Sequence, residues 1–145
     1  MEYPGIDPAK LEGIVVDDES AVLTGNWSPT GGLVGYVAEG YHYSSDQKAT
    51  ARFPFSVTRA GDYEVRVTWL PHENRAKTAT VRITSLSGDH DVTIDQTKAP
   101  KGSDGFQSIG TYAFDESKNF AVTFLVAGAQ GNVHIDAVQV VPAKK

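Results

Sequence analysis

Acidic groups stand in apolar surroundings near both ends of the chain. Asp17-Asp18-Glu19 closes the apolar run that starts at Gly13, and Asp136 interrupts the stretch Val133–Val141. In a jelly roll the first and last strands are usually neighbours, which would bring Asp18 and Asp136 together. Their oxygens would suit Ca2+, a hard cation that takes six to eight oxygen ligands. The competing reading has Asp136 accepting backbone hydrogen bonds while Asp17–Glu19 cap a turn. A second constellation is Trp69-Leu70-Pro71-His72-Glu73-Asn74-Arg75-Ala76. It joins two strong strand patterns, so His72, Asn74 and Arg75 form a polar fork on a loop. Such a fork grips hydroxyls or a carboxylate, or it pins the loop to a neighbouring turn through Asp95 or Gln96. A third is aromatic. Tyr41 and Tyr43 alternate at the end of Tyr36–Tyr43, and Trp27 lies in a Gly/Asn/Ser/Pro segment outside any periodic strand. Exposed rings of this kind stack on the C–H faces of sugars. Turned inward, the two Tyr rings serve a core with their hydroxyls at a polar rim. Trp27 is the stronger candidate for an exposed ring.

Standard catalytic signatures are missing: no G-x-S-x-G elbow, P-loop, H-E-x-x-H or EF-hand loop occurs. His72-Glu73 starts like a zinc helix, but position 76 is Ala. Gly31-Gly32-Leu33-Val34-Gly35 opens no helix and has no phosphate-binding Lys. Asn26-Trp27-Ser28 fits a glycosylation sequon followed by Pro29. His42, His72, His90 and His134 show no metal-ligand spacing among themselves. The absence of cysteine excludes disulfides, thiolate zinc sites and cysteine nucleophiles. Thirteen basic against 18 acidic residues give a net charge of −5, which argues against a general nucleic-acid binder. No apolar run approaches the roughly 20 residues of a membrane helix. The opening residues are polar with two prolines and show no signal peptide.

The elements that must position these groups are strands. Apolar residues occupy every odd position from Ala49 to Val57, from Tyr63 to Trp69, and again at Ala79, Val81 and Ile83. Phe120, Val122, Phe124 and Val126 repeat the pattern from the even positions. A period of two places one face in a core and one in water. Weaker strands are read at Gly13–Asp17, Leu33–Ala38, Asp91–Asp95, Gln107–Phe114 and Val133–Val141. Pro54 cannot donate to a ladder, so its strand is expected at an edge or bulged there. Asp7–Glu12 is too short a helix candidate to matter. Eight to ten short strands between turns give an all-β, antiparallel β-sandwich of jelly-roll type. The division expected is a linker or added segment over 1–12, one sandwich over 13–142 and a tail over 143–145.

Several of these stretches, in this order, resemble the golvesin / xanthan-lyase accessory domain. They are Ile14-Val15-Val16-Asp17-Asp18, Gly25-Asn26-Trp27, Gly61–Trp69, Asn74-Arg75-Ala76, Asp95-Gln96, Ile109–Phe114 and Asp136-Ala137-Val138. The resemblance runs from about Gly13 to Val141. It implies a galactose-binding-domain-like sandwich appended to an exported bacterial enzyme, secreted, periplasmic or at the cell surface. The role it implies is non-catalytic and carbohydrate-binding, with polysaccharide and the attached catalytic domain as partners. Asn74, Arg75 and Gln96 match polar signature positions of that family. Phe106 stands where many members have Trp, which implies a weakened stacking position. The alternative is a docking domain that packs on a catalytic neighbour without touching sugar, and a small hydrolase is the enzyme-class competitor. No organic cofactor is expected; structural Ca2+ is the one candidate.

Overall fold

The computed structural model describes residues 5–7, 10–30, 37, 40–102 and 105–143. The expected strand Leu33–Ala38 lies outside these residues apart from Val37, which makes an isolated parallel bridge with Ile6. The Gly31–Gly35 run and Tyr36 also lie outside them.

Twelve strands are described: β1 (Ile14–Asp17), β2 (Val22–Thr24), β3 (Ser28–Thr30), β4 (Tyr41–Ser44), β5 (Thr50–Phe55), β6 (Gly61–Thr68), β7 (Ala79–Ser85), β8 (Gly88–Ile94), β9 (Gln107–Phe114), β10 (Phe120–Leu125), β11 (Val133–Ile135) and β12 (Ala137–Pro142). They form a four-stranded sheet in the order β1-β12-β6-β9, a five-stranded sheet β2-β5-β10-β7-β8 and a small sheet β11-β4-β3. Every ladder is antiparallel. The expected all-β sandwich is what forms. The alternation explains it: Val65, Val67 and Trp69 from one large sheet meet Phe53, Val81, Ile83, Val122 and Phe124 from the other in one buried cluster. The Trp69 indole N–H donates to the Lys98 carbonyl (2.8 Å), so this large ring is both packed and hydrogen-bonded.

Three details depart from the sequence pattern. Val133–Val141 is two strands in different sheets, broken at Asp136, because the carboxylate there takes its own backbone partner. β5 is not an outer strand, yet β2 pairs only with Thr50–Arg52. Pro54 therefore sits where β5 has one ladder neighbour, opposite Ala121 of β10, and no bulge is needed. The bulge falls on β9 instead, where Ile109 and Gly110 face Val65. Gly110 has φ +121, and a Cβ there would stand 2.6 Å from the Tyr112 hydroxyl.

Candidate functional site

The pairing of β1 with β12 sets Asp17 opposite Ala137, one residue from Asp136. The Asp18 N–H donates to the Asp136 carbonyl (2.8 Å), which draws the two acidic ends together as expected. Asp18 and Asp136 are each only 1% exposed. One ligand oxygen from each of Asp17, Asp18 and Asp136 lies within 4.8 Å of the others. Asp136 accepts from the Val37 N–H with both oxygens (3.1 and 2.9 Å), and Asp18 Oδ2 meets His42 Nδ1 at 2.5 Å. Oδ1 of Asp17 and Oδ1 of Asp18 are buried without a partner. No Lys or Arg among the described residues pairs with the three. Burial, reinforced by the neighbouring carboxylates, pushes Asp17 up to about 8 and Asp136 to about 9. Burial pushes Asp18 up to about 7. Two buried acids and the half-buried Asp17, with Oδ1 of Asp17 and of Asp18 left without a partner, fit a hard cation, and Asp17 joins the pair expected from the sequence.

The aromatic residues separate. Trp27 is not the free ring expected: it is half-buried against the core, and its indole N–H is shared between the Thr24 and Thr50 carbonyls (3.1 Å each). The apolar ring earns more by covering the sandwich edge than by standing in water. Replacing it as Trp27→Phe removes that donor and is expected to cost about 1 kcal/mol in urea unfolding; an unchanged midpoint would show that neither hydrogen bond contributes. Tyr41 is also buried, tilted against His134 at 5.7 Å. Phe106 is buried beside Val37 and Ala137, so it does not stack on anything outside the fold.

Tyr43 is different. β4 pairs it with Ser28 of β3 on one side and His134 of β11 on the other. Its ring stacks on the buried His134 imidazole (5.3 Å, 19° between planes). Neither His134 nitrogen has a partner, and burial followed by the Arg75 charge lowers its pKa to about 3. Tyr43 thus stacks on an uncharged imidazole at the wall of a concavity of about 430 Å³ lined by Asn26, Ser28, Tyr43, Ser44, Ser45 and Asp46. The wall is braced from within. Ser44 Oγ donates to the Asn26 carbonyl (2.5 Å), and Asp46 accepts from the N–H groups of Asn26 and Lys48 (3.0 Å each). The side chains of Asn26, Ser28 and Ser45 and the Tyr43 hydroxyl make no hydrogen bond within the described chain.

Within the polar fork only Arg75 turns inward. Arg75 is buried; its Nε donates to the Leu70 carbonyl (3.0 Å) and one Nη to Asn74 Oδ1 (2.6 Å). Its partners are not Asp95 or Gln96 as anticipated: Asp95 caps Thr97 instead. Gln96 is fully buried and clamps His134, donating to its carbonyl and accepting from its N–H (2.8 Å each). His72 is exposed, its Nδ1 accepting from the Asn74 N–H at 3.5 Å. Asn74 borders a second concavity, of about 540 Å³, between the Glu73–Thr78 loop and Gly128–Gly131. Sequence reasoning passed over Asn26 as a sequon residue, and over Ser28, Ser45 and Asp46. The run Ser44-Ser45-Asp46 directly after Tyr43 was the available signal.

The chain matches no curated protein. Among solved structures it is similar to Paenibacillus xanthan lyase, at 23% identity and TM-score 0.81, over 90% of this chain and 13% of that one. A GH26-CBM35 β-(1,4)-mannanase from Podospora anserina follows at 16% identity and TM-score 0.69, over 91% of this chain and 28% of the other. A family 35 carbohydrate binding module from Clostridium thermocellum is covered over its full length, by 92% of this chain, at 11% identity and TM-score 0.62. These likenesses concern the fold, and the chain spans only a small part of the two enzymes. The model of the golvesin C-terminal domain matches residues 14–142. That match spans nearly the whole length, and the chain belongs to the golvesin C-terminal domain family.

Proposed function

We propose that this domain is a non-catalytic glycan-binding module of a larger exported bacterial protein, with its sugar site at the Tyr43 concavity. The observation that carries the reading is a ring stacked on a buried imidazole that shares one open hollow with the unpartnered side chains of Asn26, Ser28 and Ser45. Sugars present the matching chemistry: C–H faces for the ring and hydroxyls for amide and hydroxyl partners. Asp46, the hollow's one carboxylate, is committed to two backbone N–H groups, which favours a neutral glycan, as does the net charge of −5. The attached enzyme would gain effective concentration on its polymer.

Ca2+ held by Asp17, Asp18 and Asp136 would fasten the start of the fold to the β11–β12 junction. Its charge would offset three carboxylates that otherwise resist ionising together. Hydrolysis is a poor use of the same residues. Glycosidase carboxylates flank a sugar roughly 5–9.5 Å apart, whereas Asp18 and Asp136 are buried and leave no place for a ring. A docking surface draws little support: of the exposed large apolar residues, Val22 lies on the edge strand β2 and Leu86 in the β7–β8 turn at the other side of the five-stranded sheet.

Affinity electrophoresis in gels containing xanthan, β-(1,4)-mannan, β-(1,3)-galactan or dextran tests the reading. Retardation on at least one polymer is expected. Tyr43→Ala should weaken it by about tenfold to a hundredfold, while the circular-dichroism spectrum is unchanged. Free migration in every gel would sink the glycan reading.

A further inference from the structure

We infer that the two concavities form one groove, and that its ligand is the interior of a glycan chain at least three sugars long rather than a single sugar. The inference rests on the glycan reading above. Gln47 joins the two hollows. It follows Ser45 and Asp46 of the first wall directly, and its side chain reaches the second: Nε2 donates to the Ala129 carbonyl (3.1 Å), and Oε1 accepts from the Gly128 N–H (2.9 Å). Gly128 lines the second hollow. The walls are therefore neighbours in sequence and bonded in space.

The small sheet sets the scale. Ser28 of β3 pairs with Tyr43 of β4, Ser44 pairs with Val133 of β11, and Asn132, just before it, bridges Arg75. Three inter-strand steps span about 14 Å, longer than a disaccharide. The far wall is as firmly built as the near one. The Ala76 N–H donates to the Asn132 carbonyl (2.9 Å), and the Asn132 N–H to the Asn74 carbonyl (3.3 Å). Gly131, at φ +96, lets these loops close, since a Cβ would stand 3.0 Å from the Arg75 carbonyl oxygen. A groove already in shape loses little order when a chain enters it. Its second half offers Thr78 and Gln130, whose side chains make no hydrogen bond within the described chain. Polyol chemistry thus continues past Gln47 without an aromatic, so the first hollow anchors one sugar and the second holds its neighbours by their hydroxyls.

Calorimetric titration with oligosaccharides of one to six sugars, cut from the polymer that retards the domain, tests this. Affinity should rise about tenfold or more between two and four sugars and then level off. The double variant Thr78→Ala, Gln130→Ala should lose that rise and keep the disaccharide affinity, which also serves as its folding control. An affinity already complete at one or two sugars, or a rise that survives the double variant, overturns the groove and leaves the glycan reading standing. Absence of binding to every polymer and oligosaccharide overturns both.

Discussion

Calcium added to the chelated domain at pH 8 is expected to raise its melting temperature by about 5–10 °C. A ligand held by the native state at a hundred times its dissociation constant adds about 2.7 kcal/mol, and each kcal/mol moves a domain of this size by about 2–4 °C. The chelated domain should also depend on pH in an unusual direction. Asp17, Asp18 and Asp136 titrate near 8, 7 and 9 in the fold, against about 3.9 in an unfolded chain. Their contribution is complete below about pH 4 and is lost as pH rises through 7 to 9. His134 acts oppositely: its folded value near 3 means stability present above about 6.5 and lost as pH falls towards 3. Three groups outweigh one, so the chelated domain should melt higher at pH 5 than at pH 8, and calcium should remove most of that difference. Asp18→Asn should make the chelated domain more stable at pH 8 and abolish the response to calcium. Identical melting curves in chelator and in calcium at pH 8 would eliminate the cation site.

Gln96→Leu is expected to destabilise the domain by about 3–5 kcal/mol, a third or more of what a typical domain possesses. The side chain satisfies both main-chain groups of His134, and Leu would leave that N–H and C=O buried without partners. Each such loss costs about 1–3 kcal/mol. His134 is also the platform under Tyr43, so glycan retention should fall with stability. Arg75→Ala belongs to the same brace but leaves the His134 clamp intact, and should cost less. Urea unfolding of the two variants decides the order; a Gln96→Leu midpoint equal to wild type would show that the clamp contributes little.

Much of this architecture was legible because one period dominates the chain. The alternation from Ala49 to Val57 maps directly onto buried Ala49, Ala51, Phe53, Phe55 and Val57. The acidic pair was legible for a related reason: a carboxylate inside an apolar strand needs a partner, and Asp136 declares that need in sequence. What periodicity could not supply was the direction of short elements. β2 and β3 have three residues each, too few to show a period. Trp27 looked free because its neighbours are turn formers, yet the nearby Thr24 carbonyl and the distant Thr50 carbonyl draw its N–H inward. Tyr41 and Tyr43 share one face of β4, and only the position of His134 across the ladder separates a buried ring from a groove wall. The polar fork was ambiguous because guanidinium chemistry serves a carbonyl as readily as a ligand. Burial decided it.

The antiparallel neighbours β1 and β12 set where Ile14 and Val140 lie: side by side. From Asn132 at the groove, the backbone runs through β11 and β12 before reaching Pro142, up to about 30 Å of extended chain. The first and last described strands thus meet at one edge of the four-stranded sheet, so a pull on either end of the sandwich would load the same ladder.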